Sequence, residues 1–233
     1  MKKFTLILCL VLMLFGLILP AFAEHLVCSK KEYVADLAKV SSIGTRLLNS
    51  NGIEKRMVFV LKNDFKNNYI RMSDRNRQIT LTLGLYMMLS SEDEVAAVLG
   101  GEISHALDSY NGIMRGYFSS VNTFFVPKKY VYKADLRAVD FMVNAGYNPL
   151  AEIVVLSKIK PQTRYDWYAK EPLTSRRMMR IYEYIYQKYP EYLVDNKYKD
   201  NIYYQNFLLT SRVNRQKFQD KVRTKSVNAV KYQ

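Results

Sequence analysis

Residues Leu89 to Tyr110 read L-S-S-E-D-E-V-A-A-V-L-G-G-E-I-S-H-A-L-D-S-Y, and this stretch has the pattern of a single helix. Ser90 or Ser91 can cap it, because a serine oxygen accepts a hydrogen bond from the free N–H groups of a first turn. Three acidic residues follow at 92–94, where the helix dipole favours negative charge. Apolar residues then recur at helical spacing, at Val95, Val98, Leu99 and Ala106. The pattern predicts a helix with one buried face, around which the chain is organised.

The middle of this helix carries an incomplete metal motif. Gly101-Glu102-Ile103-Ser104-His105 is H-E-x-x-H without its first histidine. In the intact motif, two histidines one turn apart bind zinc and the glutamate between them acts as general base. Here Glu102 keeps the position of the base and His105 that of the second ligand, whereas Gly101 offers no donor. The function therefore depends on whether other ligands are also missing.

The N-terminus has the features of an export signal. Met1-Lys2-Lys3 is basic, residues 4–19 are apolar, and Ala21-Phe22-Ala23 has the small-x-small pattern of a cleavage site. We expect a signal peptide over residues 1–23 and a periplasmic or secreted protein. An uncleaved N-terminal anchor is the alternative, since the apolar run approaches the length of a short transmembrane helix. A lipidated Cys28 is disfavoured, because the residues before it are not small.

The charge is strongly positive and uneven along the chain. The formal net charge is +14, and residues 197–233 hold nine Lys and Arg against two Asp, a net charge of +7. We therefore expect residues 191–233 to be a basic C-terminal extension. In an envelope compartment its acidic partners would be an anionic membrane surface, acidic wall polymers or another protein. No nucleic acid is expected as a partner of an exported protein.

Apolar periodicity predicts the remaining elements. The predicted helices cover residues 30–49, 84–89, 130–144, 150–159 and 175–189, and the predicted strands cover residues 57–61, 69–72 and 78–83. Residues 202–209 are an apolar block within the basic tail. Strands gathered before a run of helices indicate an α+β fold that is mostly α. We expect the three strands to form a small antiparallel sheet.

With these elements placed, four stretches match one known family. They are Asn68-Tyr69-Ile70, Thr82-Leu83-Gly84-Leu85, the run from Glu92 to Gly100, and Ala134-Asp135-x-x-Ala138 continuing to Ala145-Gly146-Tyr147-Asn148-Pro149. In this order and spacing the chain resembles the HtpX-like zinc metallopeptidases, which include periplasmic protease-chaperones of the BepA type. The resemblance covers about residues 30–189. It implies a zincin-like peptidase domain over residues 24–190 with the helix of the incomplete motif at its active site.

The resemblance also assigns roles to individual positions. In the family, zinc is bound by both histidines of the motif and by a glutamate just before Ala-Asp. Gly101 and Lys133 replace two of these three ligands, whereas His105 and the base Glu102 are retained. Glu171 stands where a histidine near the oxyanion is expected. The chain therefore resembles a degenerate member of the family.

Further positions carry supporting roles by the same resemblance. Asp135 would orient a zinc ligand without touching the metal, and Arg177 keeps its place six residues after Glu171. The family pairs extended peptide with an edge strand, which here would comprise Ile70, Arg71, Met72 and Ser73. A further hypothesis is that the ammonium group of Lys133 takes the place of zinc by pairing with Glu102 and Glu171.

These observations favour a pseudopeptidase without a cofactor that binds a polypeptide or envelope protein in the old substrate cleft. One alternative is an active zinc metalloendopeptidase with an atypical site, built from His105 and carboxylates such as Asp108 or Asp135. The second alternative is a surface-binding module that acts through the basic extension.

Overall fold

The structure is a computed structural model that describes residues 32–73, 76–110, 127–160 and 174–232. The chain divides into two units, residues 1–40 and 41–233. In the first unit the described residues are 32–40, which begin a helix, α1, that covers residues 32–50. The predicted signal peptide, Cys28 and Glu171 lie outside the described residues.

Three short strands form one sheet in the second unit. They are β1 (Val58–Lys62), β2 (Ile70–Ser73) and β3 (Gln78–Thr82), in the spatial order β1-β3-β2. β2 pairs antiparallel with β3, whereas β1 pairs parallel with β3, so the expectation of a purely antiparallel sheet was wrong. The chain leaves β1, crosses to the far side of the sheet to form β2, and turns back into β3 between the two. The chain therefore reverses its direction twice between β1 and β3, so these two strands run parallel to each other.

Among the described residues, five helices follow the sheet in the middle of the chain. They are α2 (Leu83–Met88), α3 (Glu92–Tyr110), α4 (Pro127–Asn144), α5 (Leu150–Ile159) and α6 (Thr174–Lys188). α3 packs against α4 and α5, and α5 also packs against α6. Their contact faces are fully buried at Leu99, Ile103, Met142, Ile153 and Met178. The predicted fold class, α+β and mostly α, is confirmed.

The predicted basic extension contains three more helices. α7 covers Glu191–Val194, α8 covers Ile202–Thr210 and α9 covers Arg212–Arg223. α8 packs against α5, and α9 packs against α6 and α8. Tyr204, Phe207 and Phe218 are buried at these contacts, so the C-terminal helices share the core of the second unit. Among the described residues, no helix combines the length and apolarity needed to cross a membrane.

Candidate functional site

A serine cap marks the start of α3. Ser91 Oγ accepts a hydrogen bond from the backbone N–H of Glu94 at 3.2 Å, which satisfies one of the N–H groups that a helix start leaves without a partner. The Glu94 carboxylate accepts a hydrogen bond from the backbone N–H of Ser90, the residue before the cap, at 3.0 Å. Ser91, one of the two serines predicted as the cap, therefore begins the helix that carries Glu102 and His105.

A buried lysine holds the same end of α3 to α5. Lys158 Nζ lies 2.7 Å from a Glu94 carboxylate oxygen, and the two side chains are only 6% and 1% exposed. The ammonium group also donates to the carbonyl oxygen of Met88 at 3.0 Å and to Ser90 Oγ at 2.9 Å. Three acceptors therefore match the three protons of the ammonium group, which a buried cation requires.

The C-terminal segment contacts the first turn of α3 through Asp93. One carboxylate oxygen of Asp93 accepts from Lys197 Nζ at 2.6 Å and from the Tyr198 hydroxyl at 3.2 Å. The other accepts from the backbone N–H of Asn148 at 3.1 Å. Burial raises the pKa of Tyr198 above its usual value, so the hydroxyl stays protonated and can donate. The C-terminal segment thereby helps to position α3.

A cavity of about 440 Å³ lies beside the middle of α3. It is lined by residues from the sheet and from five helices, including Ile70, Gly101, Glu102, His105, Asp135, Glu152, Lys160 and Arg177. Six of these eight are positions that the sequence analysis singled out, and the structure places them around one space. Glu152 and Lys160 were not among them. Arg71, Met72 and Ser73 line a separate groove on the sheet.

Asp135 and Arg177 form a buried ion pair at the edge of this cavity. Arg177 Nε donates to one carboxylate oxygen at 2.9 Å, and Nη2 donates to the other at 2.7 Å. The side chain of Asp135 is 5% exposed and that of Arg177 is 10% exposed. Because both oxygens face the guanidinium plane, Asp135 is oriented toward α6 and joins α4 to it.

Lys133 does not pair with Glu102, so that hypothesis was wrong. Its Nζ lies 2.8 Å from Asp108 Oδ1, and its side chain is 50% exposed. Residues two positions apart on a helix point about 200° away from each other. Since Asp135 points into the protein, Lys133 points toward the solvent. Arg137, one turn after Lys133, also reaches Asp108, at 3.1 Å.

The described donor set does not fit a catalytic zinc ion. Such an ion needs about three protein ligands and a water molecule. Within residues 32–73, 76–110, 127–160 and 174–232, no three His, Cys, Asp or Glu side chains are grouped closely enough to hold a metal. Asp108 and Asp135, the carboxylates of the alternative metal site, are held by basic side chains instead.

Two adjacent glycines on α3 have different surroundings. A Cβ atom at Gly100 would lie 3.4 Å from the Cβ atom of Ala138, so the small residue allows α3 and α4 to approach closely. A Cβ atom at Gly101 would have no neighbour within 4 Å. The position of the missing first histidine is therefore open space on the cavity side.

Glu152 is the functional candidate that the sequence analysis missed. It lies in the first turn of α5 and is only 5% exposed. Desolvation raises its pKa to about 8, the negative charge of Asp135 adds to this, and Arg177 partly opposes it. Its Oε2 atom is buried without a hydrogen-bond partner. The signal in the sequence was one glutamate within the otherwise apolar run L-A-E-I-V-V-L.

Among the described residues, no strand pairs with the outer side of β2, which lies next to the cavity. It occupies one end of the strand order, and Ile70 lines the cavity with Glu102 and His105. Thr82 donates its backbone N–H to the carbonyl oxygen of Tyr69 at 3.1 Å, so the backbone of Tyr69 points toward β3. Backbone groups alternate along an antiparallel pair. Those of Ile70 and Met72 therefore point away from β3.

Comparison with known proteins agrees with this geometry. Residues 35–128 match the model of peptidase family M48. The match includes β1 to β3 and all of α3, and it ends before Lys133, Asp135, Glu152 and Arg177. A search of curated proteins found no match. Residues 35–128 are therefore similar to peptidase family M48, and this part of the chain is metallopeptidase-like.

Proposed function

We propose that this chain is a non-catalytic member of its family that binds an extended polypeptide between β2 and α3. The observation that carries the proposal is the composition of the cavity. It joins an open strand edge to Glu102 and His105, while the position of the first zinc ligand is a glycine with open space around it.

The loss of catalysis follows from the chemistry of the missing ligands. A zinc ion would supply a Lewis acid for the scissile carbonyl and would acidify the attacking water. Glu102 alone offers neither function, because an ordinary water molecule is a poor proton donor to a carboxylate. Lys133 cannot replace a third ligand, since it is cationic and pairs with Asp108 at 2.8 Å.

Polypeptide binding does not require the metal. An extended peptide adds a strand to an open sheet edge through backbone hydrogen bonds, and pockets next to the edge select its side chains. Ile70 and Met72 supply outward backbone groups, and the cavity of about 440 Å³ supplies a pocket beside Ile70. Both parts of this recognition mode are therefore present in one place.

The proposal includes export. Met1-Lys2-Lys3, the apolar run that follows and Ala21-Phe22-Ala23 would direct the chain out of the cytoplasm, so its polypeptide partner would be an envelope protein. N-terminal sequencing of the protein from an envelope fraction tests this part. A start at Glu24 is expected, and a cytoplasmic protein that starts at Met1 would contradict it.

A proline scan of the β2 edge tests the binding mode. Met72→Pro removes one outward N–H, and an edge strand tolerates proline at such a position. Met72→Ala keeps that N–H and serves as the matched control. In fluorescence polarisation with labelled extended peptides, Met72→Pro should weaken binding by between about twofold and tenfold. Equal affinities of the two variants would contradict β-strand addition.

A metal and activity measurement tests the absence of catalysis. The purified chain should contain far less than one zinc ion per molecule by mass spectrometry, and it should not cleave casein. Stoichiometric zinc together with chelator-sensitive cleavage that Glu102→Gln abolishes would overturn the proposal. That result would establish the active metalloendopeptidase with an atypical site.

A second candidate function concerns the C-terminal helices. Ile202, Leu209 and Val213 are 74%, 76% and 61% exposed, and Arg212 and Lys225 are exposed near them in the chain. Exposed apolar side chains among basic residues are typical of binding to an anionic membrane surface. Sedimentation with vesicles containing anionic lipid tests this, and Leu209→Asp should reduce it. Equal sedimentation with neutral vesicles would exclude an electrostatic contribution.

A further inference from the structure

We propose that the cavity beside α3 accepts a primary ammonium group, that of a lysine side chain of the bound polypeptide, and that Glu152 pairs with it. The identity of the ligand rests on the proposed peptide binding. The site itself rests on the residues that line the cavity.

The unpartnered oxygen of Glu152 is the first observation. The residue is 5% exposed, and its Oε2 atom is buried without a hydrogen-bond partner. Folded proteins rarely leave a buried carboxyl oxygen in this state, and such a group often marks a place where a ligand supplies the partner. Because Glu152 lines the cavity, a ligand there can reach it.

The charges around Glu152 favour a cationic ligand. Arg177 is the nearest cation, but its Nε and Nη2 atoms are held by Asp135 at 2.9 and 2.7 Å. That pair has no net charge. Within the described residues no cation is hydrogen-bonded to Glu152 Oε2, so the carboxylate that forms when Glu152 loses its proton can pair with a cationic ligand.

The walls of the cavity suit the rest of a lysine side chain. Apolar residues from α2, α3 and α5 line it, including Leu85, Val98, Val155, Leu156 and Ile159. A lysine buries its methylene chain along such surfaces while its ammonium group reaches a polar partner. The volume of about 440 Å³ accommodates one side chain of this size. Ile70 at the cavity wall places the backbone of a bound strand next to it.

Binding of the ammonium group is accompanied by a proton exchange. In the empty cavity the pKa of Glu152 is raised to about 8, mainly by burial, so near neutral pH its carboxyl group carries a proton. When the ammonium group binds, this proton leaves to the solvent and the carboxylate pairs with the cation. One proton leaves the cavity as one ammonium group enters, so the net charge of the cavity does not change. The cation is therefore not buried without a partner of opposite charge, which would cost much more free energy.

The first test uses n-butylammonium and n-butanol with the purified full chain, followed by ligand-observed NMR. n-Butylammonium should bind, and Glu152→Gln should weaken it at least about tenfold, because a hydrogen bond to a charged group is lost. Glu191→Gln removes one carboxylate from exposed α7 and should leave binding unchanged. Equal binding of n-butylammonium and n-butanol, or equal affinity of the Glu152→Gln variant, would overturn the proposal.

The second test separates this site from the proposed peptide binding. Extended peptides that differ only by lysine or norleucine at a central position should differ in affinity for the native chain. Glu152→Gln should remove this difference while norleucine peptides still bind. If lysine and norleucine peptides bind the native chain equally well, the ammonium site is overturned while the proposed peptide binding stands. If n-butylammonium binds through Glu152 but no peptide binds, the proposed function fails and the lysine of a polypeptide is excluded as the ligand.

Discussion

Arg177 on α6 donates two hydrogen bonds to Asp135 on α4, at 2.9 and 2.7 Å, inside the protein. The two residues are 42 positions apart in the chain, and both line the cavity beside α3. In the family that the chain resembles, these two positions support a zinc site. In this structure they connect α4 to α6, and the described residues around them do not form a group that could hold a metal ion. Their pair has a structural consequence that can be measured.

Truncation of Arg177 to alanine should destabilise the protein strongly. It leaves Asp135 buried without its partner, which typically costs about 3 to 5 kcal/mol. Urea denaturation followed by circular dichroism measures the change in the free energy of unfolding. The matched control is Arg223→Ala, whose pair with Asp220 is exposed at 79% and 47% and should contribute under about 1 kcal/mol. Similar losses in both variants would show that the Asp135 pair is not buried in solution.

The stability of the chain should depend on pH through Glu152. Its folded-state pKa is raised from 4.5 to about 8, so between these values the folded state binds more protons than the unfolded state. Stability therefore decreases as pH rises through this window and changes no further above about pH 8, with a slope of at most about 1.4 kcal/mol per pH unit. Because other groups titrate too, the measured quantity is the difference between the native chain and Glu152→Gln. The native chain should lose stability relative to the variant as pH rises from 5 to 8, and parallel curves would contradict the raised pKa.

Restoring the two replaced ligand types should not restore a zinc site. Gly101→His would put an imidazole on the cavity side of α3, where a Cβ atom meets nothing within 4 Å among the described residues. Lys133→Glu would put its carboxylate on the solvent side of α4, because Lys133 is 50% exposed and is not part of the cavity lining. Mass spectrometry should therefore find far less than one zinc ion per molecule in the double variant, since a catalytic zinc ion needs about three protein ligands.

Two comparisons interpret that measurement. Each single variant should also hold far less than one zinc ion per molecule, because it offers even fewer ligands. A double variant that folds and holds about one zinc ion, which a further His105→Ala removes, would contradict the solvent-facing position of residue 133.

Phe207 should be essential for the stability of the second unit. It is fully buried on α8, and its ring lies 5.8 Å from that of Tyr182 on α6. Phe207→Ala should cost about 3 to 5 kcal/mol in thermal or urea denaturation. Leu209→Ala on the same helix is the control, since Leu209 is 76% exposed and should have little effect. A negligible effect of Phe207→Ala would mean that α8 does not pack on the domain in solution.

The same packing changes how the basic C-terminal segment should be studied. Deletion of residues 197–233 would also remove buried Tyr198, Tyr204 and Phe218. A loss of function after deletion would then mix loss of charge with loss of structure. Substitutions of exposed residues, such as Lys199→Glu, change the charge while they leave the core intact.

Local patterns determined the elements of this protein. The start of α3 was predictable because a capping serine and a glutamate three residues later act within one turn. α5 was predicted at Leu150–Ile159 and is observed there. Alternation or helical periodicity gave the three strands and helices α1, α2, α4 and α6 to within a few residues, whereas α7, α8 and α9 were not predicted. The sequence also identified Glu102, His105, Asp135 and Arg177 through a motif and a resemblance, and all four line one cavity.

Only the tertiary structure decided which groups meet across the fold. The direction of β1 depends on where its connection crosses the sheet, which no periodicity within β1 records. Lys133 pairs with Asp108, 25 residues away, because the rotation of α4 that buries Asp135 turns Lys133 outward. Glu152 is an unusual residue because tertiary packing leaves it only 5% exposed, near Asp135 of α4 and Arg177 of α6. Pairing and desolvation are long-range properties, whereas the sequence by itself specifies short-range geometry.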